Sequence, residues 1–445
     1  MTNIIKQLSM LGLASCLTLT TFAQGQKTVT FDVAGLKVIL RPTPKDVISA
    51  RLFVKGGTAN YAKDKEGIEA LAFSVAMDGG TTKMNKEVFA TEAEKIGTTF
   101  HSSSSLDYGD LNMTCIKPFW DKSWTLFADA ILTPAFDEKE FNLAKEQMIS
   151  AAHQTEGDPD GYLEQLAMQN AFGMRNYAKI AAGTATSLEK LTLAETKKYF
   201  ETTVGKKRCF LVIVGNVTQA DVTAKVMATL GKLQAGTAAT SEPKLLITKG
   251  SENVIDRDIA TNYLMGIMSA PAYNSEDGIP MMVGMNILYD RYFVELRTKR
   301  SLSYAPAAGY NREAITSPIN TIYITTQKPK EAMQVMVQVI DSVKQMGFKE
   351  KELIDKKQKY LTTTYMKMET SAAQSFALGR AEACGSYLLD EKFAAKVNAI
   401  TLAEVNRVFK AYTQAIKWTY LGKKDQVSKE DFKQTIKTDF PAGAH

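Results

Sequence analysis

The sequence predicts an α+β fold made of two homologous α/β sandwich halves, each a mainly antiparallel sheet covered by helices. Two observations predict it: similar segments recur at nearly constant spacing, and strand and helix periodicities alternate within each half. At 445 residues the chain is also too long for one ordinary core. Mixed strands and long helices in each half imply a sheet with helices on one face.

The internal repeat rests on three pairs of similar segments. They lie 209 to 213 residues apart and comprise residues 192–200 with 401–409, 136–145 with 348–357, and 59–68 with 272–279. Each match is weak alone. Three matches at nearly the same spacing argue for two related halves of about 200 residues each.

Four segments follow from this repeat and from local composition. They are a signal peptide at residues 1–23, a first half at 24–233, a linker at 234–250 and a second half at 251–445. The linker assignment rests on the run from Gln234 to Pro243, which is small and polar, lacks apolar periodicity and ends in proline.

The N-terminus is typical of a secretory signal peptide. Lys6 precedes an apolar run over residues 8–22, and the small residue Ala23 precedes Gln24. The mature protein is therefore predicted to be exported and periplasmic. A lipid anchor on Cys16 is the alternative, although the apolar stretch continues past this cysteine, where a mature lipoprotein usually turns polar.

Composition excludes several classes of protein. The chain has 45% hydrophobic and 23% charged residues, as soluble globular proteins do. Its net charge is only +6, and basic residues alternate with acidic ones, as in 63–66, so no nucleic-acid partner is predicted. Beyond the N-terminus no stretch is long enough for a transmembrane segment. No disulfide framework is indicated by the three remaining cysteines, Cys115, Cys209 and Cys384.

The first half alternates strands and helices. Residues 36–40 and 48–54 have the period of two expected of half-buried strands. A helical spacing of apolar residues runs from Ile68 to Val75, and the pair Gly79-Gly80 supplies a natural stop. Helices over 86–97, 118–133, 137–155 and 192–202 then precede a buried strand at 209–215.

The second half repeats this order. Strands are predicted near 261–269 and 320–326, and helices near 278–299, 330–346 and 349–367.

Two runs of sequence carry a family resemblance. The segments from Gly67 to Thr81 and from Glu295 to Tyr304, together with the signal peptide and the tandem halves, resemble the pitrilysin/insulinase family of zinc peptidases. The resemblance covers essentially the whole mature chain. It implies a zinc helix at the first of these runs and substrate-contacting residues at the second.

The zinc helix lacks its ligands. Active members of the family carry H-x-x-E-H there, in which two histidines hold zinc and the glutamate deprotonates the bound water. The matching ligand positions are Ala70 and Ser74 or, in a second alignment, Leu71 and Val75, and the base position is Phe73 or Ser74. None of these side chains is a ligand or a base. We therefore predict no metal and no cofactor in this chain, with zinc supplied by a partner.

The few histidines do not replace the motif. His101, His153 and His445 are the three in the chain, and the closest two are 52 residues apart, so no pair at helical spacing exists. His153 lies on the helix where the family places its third ligand, a glutamate. We interpret His153 as a partly buried polar residue before a turn, and Glu146 on the same helix as a solvated charge.

The second-half motif is complete. The resemblance implies that Arg297 and Tyr304, seven residues apart, contact the substrate. A guanidinium can hold peptide carbonyls and a phenol can donate to a developing oxyanion. As isolated residues they would instead be a helix C-terminal charge and the start of a strand.

The resulting hypothesis is a non-catalytic subunit of an exported zinc metallopeptidase complex. In it, a homologous zinc-bearing subunit pairs with this chain around unfolded peptides, and Arg297 and Tyr304 act in trans. One alternative is a non-proteolytic scaffold or peptide-binding subunit, which retention of both residues disfavours. Another is an autonomous peptidase with an altered metal site, for which the sequence offers no ligands.

Overall fold

The computed structural model describes residues 27–433. The predicted signal peptide, Cys16 and His445 lie outside the described residues. Within them, two sheets with helices packed against them confirm the predicted pair of α/β sandwiches. The boundaries of the two halves and of the linker stay predictions; residues 234–250 contain neither helix nor strand.

The first sheet has six strands, and a separate two-stranded ribbon lies beside it. The strands of the first half are β1 Val29–Val33, β2 Leu36–Pro42, β3 Val47–Lys55, β4 Gly80–Thr81, β5 Met84–Asn85, β6 Thr99–Ser104, β7 Tyr108–Ile116 and β8 Cys209–Gly215. The sheet order is β1-β2-β8-β3-β7-β6, and β4 pairs with β5. Strands β2 and β8 run parallel, and the other neighbours are antiparallel.

The second sheet has five strands with the same connectivity. They are β9 Ser251–Asp256, β10 Asn262–Ser269, β11 Ala307–Asn311, β12 Ile319–Thr326 and β13 Lys417–Gly422. The order is β11-β12-β10-β13-β9, with β13 and β9 parallel and the rest antiparallel. Starting from β9, this order of connections matches the first sheet starting from β2. The shared topology agrees with the sequence repeat.

Fifteen helices in the described residues surround the sheets. In the first half they are α1 Ile68–Asp78, α2 Lys86–Glu94, α3 Trp120–Leu132, α4 Glu138–Gly157, α5 Pro159–Phe172, α6 Ala185–Glu189, α7 Leu193–Thr203 and α8 Gln219–Ala228. In the second half they are α9 Gly278–Tyr292, α10 Pro329–Met346, α11 Glu350–Lys367, α12 Ser371–Ala383, α13 Leu388–Glu391, α14 Phe393–Ala399 and α15 Leu402–Tyr412. No helix between residues 27 and 433 combines the length and the apolarity needed to span a bilayer.

One repeated sequence segment marks the start of the same helix in each half. The Thr192 side chain accepts a hydrogen bond from the backbone N–H of Glu195, and the Glu195 carboxylate accepts one from the backbone N–H of Thr192. Thr401 and Glu404 form the same capping box at α15. The box satisfies amide groups that a helix N-terminus otherwise leaves unpaired.

Both faces of the first sheet are apolar at its centre. Side chains of a strand alternate between faces, and all seven residues of β8 are buried. Leu211 and Ile213 join the large core beneath α1 and α3. Phe210 and Val212 join a second buried cluster on the opposite face. Helices on one face, as the sequence predicts, would leave this second cluster in water.

Helix α12, from the second half of the chain, covers the second face of the first sheet. Leu378 shares the buried cluster with Phe210. Helix and sheet approach closely at Gly379, where a Cβ atom would lie 1.8 Å from a ring carbon of Phe53. The hydroxyl groups of Ser375 and Ser49 share a buried hydrogen bond of 2.9 Å.

Helix α5, from the first half, covers the second sheet in the same way. Ala171 of α5 shares a buried cluster with Ile267 of β10. The Asn170 amide donates to the Trp418 carbonyl at 2.9 Å, and the Lys417 ammonium donates to the Asn170 carbonyl at 3.0 Å. The two halves therefore exchange helices, and each completes the sandwich of the other.

The exchanged helices are the largest difference from the sequence prediction, which contains neither α5 nor α12. Strands β1, β6, β7, β9, β11 and β13 were also not predicted. The predicted helix at 278–299 divides into α9 and a π-helical turn at Phe293–Thr298. The predicted helix at 86–97 ends at Glu94.

A half-buried carboxyl group joins the two halves at a second point. Asp107, in the turn between β6 and β7, accepts hydrogen bonds from the Tyr177 hydroxyl at 2.9 Å and the Ile315 amide at 2.6 Å. Tyr177 also shares a hydrogen bond of 2.8 Å with Thr316. Burial raises the pKa of Asp107 to about 6.

We expect Gly379→Ala to destabilise the chain, although alanine favours helix over glycine by about 1 kcal/mol. The new methyl group would meet Phe53, which is fully buried and stacked on Phe210 with ring centroids 5.0 Å apart. Overpacking of this kind costs roughly 1–3 kcal/mol. Denaturant midpoints measure the effect. The control is Gly157→Ala, since no atom lies within 4 Å of a Cβ there; equal midpoints for both variants would contradict the close packing.

We expect Asp107→Asn to change how stability depends on pH. Because the pKa of Asp107 is raised on folding, the folded chain holds a proton that the unfolded chain loses between about pH 4 and 6, and wild-type stability falls as pH rises through this window. The variant lacks this loss, which is on the order of 3 kcal/mol for a pKa raised from 3.8 to about 6. The stability of the variant relative to wild type therefore rises with pH. Unfolding midpoints at pH 4 to 7 test this. Asp258→Asn, at an exposed carboxylate, is the control; a profile of Asp107→Asn parallel to wild type would refute the prediction.

Candidate functional site

The accessible face of α1 decides between the two alignments of the zinc motif. Ala70 and Ser74 lie one turn apart and are partly exposed. Leu71 and Val75 face the core and are at most 1% exposed. A catalytic metal must meet both its ligands and the substrate, so the ligand positions are Ala70 and Ser74. A methyl group and a hydroxyl group stand where two imidazoles would be required.

The position of the catalytic base is filled by a core side chain. Phe73 is fully buried and packs edge-on against Phe200, with centroids 6.2 Å apart. The nearby carboxyl group, Glu69, is also fully buried. It accepts hydrogen bonds from the Tyr199 hydroxyl at 2.6 Å and the Ser104 hydroxyl at 2.9 Å. Burial raises the pKa of Glu69, and its bonds tie α1 to α7 and β6.

The helix of the third ligand position is α4, and Glu146 and His153 on this helix face solvent. Glu146 is exposed, as predicted. The prediction that His153 is partly buried is wrong: its side chain is 61% exposed and lies 3.8 Å from Glu156, one turn further on. In the described residues, neither Glu146 nor His153 joins side chains of α1 in a group that could hold a metal ion.

His101 stands nearer to the degenerate zinc helix. It lies on the edge strand β6, close enough to Asp78 at the end of α1 to influence the pKa of that carboxyl, which burial raises and His101 partly lowers. Nowhere in residues 27–433 do three or more His, Cys, Asp or Glu side chains gather as a metal ion would require.

Arg297 and Tyr304 lie together at the end of α9. The helix is anchored by Tyr292, a fully buried residue whose hydroxyl donates to the Met336 carbonyl at 3.0 Å. Beyond it the backbone widens into the π-helical turn, in which the Lys299 amide donates to the Val294 carbonyl at 2.9 Å. Such turns are frequent at functional sites because they displace side chains from regular helical positions.

The chain reverses sharply between the two residues. Ser301 has a φ of 51°, in the left-handed region that few residues other than glycine occupy. The Leu302 amide donates to the carbonyl of Leu296 at 2.7 Å, and both leucine side chains are buried. This anchored reversal brings Tyr304 back towards Arg297, ahead of β11. Tyr304 does not begin that strand, which starts at Ala307.

The Arg297 guanidinium rests on two aromatic rings. Its central carbon lies 4.0 Å from the ring centroid of Tyr304 and 4.8 Å from that of Phe293. Both distances are within the range of cation–π attraction. Tyr304 is 79% exposed and Phe293 is 36% exposed, so the group faces solvent.

The carboxylate two residues before Arg297 is bound to other cations. Glu295 pairs with Lys299 at 2.8 Å and also with Arg300. Burial raises the pKa of Glu295, but these two cations outweigh it and hold the pKa below its usual value. Within the described part of the chain the Arg297 guanidinium makes no hydrogen bond or ion pair. Its N–H donors are available to a ligand.

Fold and site define a zinc-peptidase homologue whose metal-binding positions hold no metal-binding side chain. The family model described as Insulinase (Peptidase family M16) matches residues 37–185, and the one described as Peptidase M16 inactive domain matches residues 190–360. Together they cover more than two thirds of the chain. The chain belongs to the insulinase family of peptidases, as a non-catalytic member.

The chain is similar both to a protein named as a zinc protease and to one named as a non-peptidase homolog. An uncharacterized zinc protease of Rickettsia felis is 21% identical over 393 residues, covering 85% of this chain and 94% of that protein. The non-peptidase homolog YmxG of Helicobacter pylori is 22% identical over 377 residues, covering 82% and 85%. The crystal structure of a peptidase M16 inactive domain from Pseudomonas fluorescens has the same fold, with a TM-score of 0.81 at 19% identity over 89% of this chain and 98% of that one.

Sequence reasoning missed two residues of the site region. Phe293 precedes Arg297 by four residues, and this helical spacing could have indicated the contact. Glu69 lies next to the ligand position Ala70, and no sequence signal reveals that its carboxylate is buried.

We expect the purified chain to contain no stoichiometric zinc, because α1 offers no ligand. The double variant Ala70→His/Ser74→His should gain measurable zinc binding, since two imidazoles would share the accessible face. The control, Leu71→His/Val75→His, should gain none and lose roughly 2–4 kcal/mol of stability through buried polar groups. Elemental analysis and zinc titration measure the outcome. Zinc binding by the control alone would show that the assigned register is wrong.

Proposed function

We propose that this protein is the non-catalytic subunit of an exported zinc metallopeptidase complex and presents Arg297 and Tyr304 to substrate at the zinc of a homologous partner subunit. The observation that carries the proposal is the contact of Arg297, half-buried, with the exposed ring of Tyr304, 4.0 Å from guanidinium carbon to ring centroid, on a chain whose zinc helix has no ligands at the motif positions. The substrates are unfolded peptides. No metal in this chain takes part.

The chemistry of the two side chains suits peptide hydrolysis by a partner's metal. Arg297 has unpaired N–H donors that can hold peptide carbonyls next to the scissile bond. The Tyr304 hydroxyl faces solvent and can donate to the oxyanion that forms when water attacks the carbonyl. Neither group activates water, so the pair assists hydrolysis only where a metal or base is supplied from outside the chain.

We place the proposed complex in the periplasm, outside the inner membrane. The support for this placement is the charged, apolar and small-residue pattern of residues 1–23, which lies outside the described residues. The proposal therefore includes export of both this chain and its zinc-bearing partner to the periplasm.

The deciding experiment combines the chain with a zinc-bearing homologue from the same organism. We expect this chain alone to cleave no peptide, and the mixture to cleave an unfolded peptide. Tyr304→Phe should lower kcat of the complex by roughly 100- to 1000-fold, because one oxyanion donor is lost. Arg297→Ala should chiefly raise KM. Initial rates over a range of peptide concentrations provide both constants.

Matched controls separate a site effect from a general one. Tyr365→Phe removes the hydroxyl of another exposed tyrosine, on α11, and should leave the rate unchanged. If Arg297→Ala and Tyr304→Phe leave a fully active complex, the action in trans is wrong. A mixture that binds peptide without cutting it would favour the scaffold or peptide-binding alternative.

A further inference from the structure

We infer that Phe293 is a positioning residue, whose ring holds the Arg297 guanidinium in the orientation used for peptide binding. The inference rests on the proposed function of Arg297 and adds a third residue to that site. It starts from the contact of Arg297 with the Phe293 ring, 4.8 Å from guanidinium carbon to ring centroid.

The guanidinium has few other constraints. An arginine side chain has several rotatable bonds, and ordering it on binding costs free energy. In the described residues no carboxylate or carbonyl fixes Arg297. Tyr304 contacts it, but Tyr304 is 79% exposed and lies outside helix and strand, so fewer side chains pack around its ring.

Phe293 provides the more rigid support. It follows directly after Tyr292, which is fully buried and hydrogen-bonded to Met336. It opens the π-helical turn and lies four residues before Arg297, so the two side chains lie on neighbouring turns. A ring on this anchored backbone stabilises a cation without occupying its N–H donors, which point outward in the plane of the guanidinium.

The charge distribution supports the same role. If Glu295 bound Arg297, the donors needed for peptide carbonyls would be occupied. Lys299 and Arg300 instead hold Glu295, and the ring of Phe293 takes the place of a counter-charge for Arg297. An aromatic face orients the cation and leaves it free to bind, whereas a carboxylate would orient it and compete with the ligand.

The first test uses the isolated chain and needs no partner. With arginine labelled selectively in ¹³C and ¹⁵N, the Arg297 signals, assigned by their loss in Arg297→Lys, should show the shift produced by nearby aromatic rings. Phe293→Leu should reduce that shift and Phe293→Tyr should retain it. Unchanged Arg297 signals in Phe293→Leu would overturn the inference.

The second test uses the reconstituted complex. Phe293→Leu should raise KM by roughly two- to five-fold, the size of an exposed cation–π contact, with kcat nearly unchanged. Phe293→Tyr should behave as wild type. In the Arg297→Ala background Phe293→Leu should have no further effect, because the residue acts through Arg297.

The outcomes distinguish the inference from the proposed function. An equal loss from Phe293→Leu with and without Arg297, or an equal loss from Phe293→Tyr, would make Phe293 a structural residue and overturn the inference. A complex indifferent to Arg297→Ala would overturn the proposed function, while the spectra of the isolated chain would still decide whether Phe293 orients Arg297.

Discussion

Each central sheet has two apolar faces, and the second face of each is covered by a helix from the other half of the chain. This constraint makes the two repeated halves one structural unit, because each half alone would leave an apolar sheet face in water. The polar contacts between the halves, including those of Asp107 with Ile315 and of Tyr177 with Thr316, add directional bonds to this apolar interface. The relative placement of the halves thus follows from core packing.

Part of the fold could be predicted because its physical causes are local. Strands β2, β3 and β8 show a strand period or a continuous apolar run, and the capping boxes at Thr192 and Thr401 mark equivalent helices. The exchanged helices could not be predicted in this way. Helix α12 approaches the sheet through Ser375 and Gly379, and α5 through Ala171. Close approach requires small side chains, and these leave only a weak helical pattern of large apolar residues.

Strand β7 carries polar residues that the fold buries. Polar and apolar residues alternate from Asp110 to Cys115, a period of two that indicates a half-buried strand, but Asp110 and Asn112 on its polar side are buried as well. The fold tolerates them because Asp110 pairs with Arg51 of the neighbouring strand and accepts a hydrogen bond from Ser103 at 2.6 Å. The partners lie on different strands, so their pairing depends on a register that the sequence does not specify. The same holds for the candidate site. The seven-residue spacing of Arg297 and Tyr304 could be recognised in the sequence, but the chain reversal at Ser301 that brings them together could not.

Helix α1 and the segment that holds Arg297 differ in how far core packing explains their structure. The inner face of α1 carries the core residues and the Glu69 network, while the ligand positions Ala70 and Ser74 are on its outer face. Loss of metal ligands there leaves the packing unchanged, so the scaffold persists without zinc chemistry. The segment holding Arg297 is the opposite case: a π-helical turn and a left-handed Ser301 both cost free energy relative to regular backbone. Core packing alone does not require a half-buried arginine that rests on two aromatic rings. A strained backbone that presents such a group is what the peptide-binding role proposed for Arg297 requires.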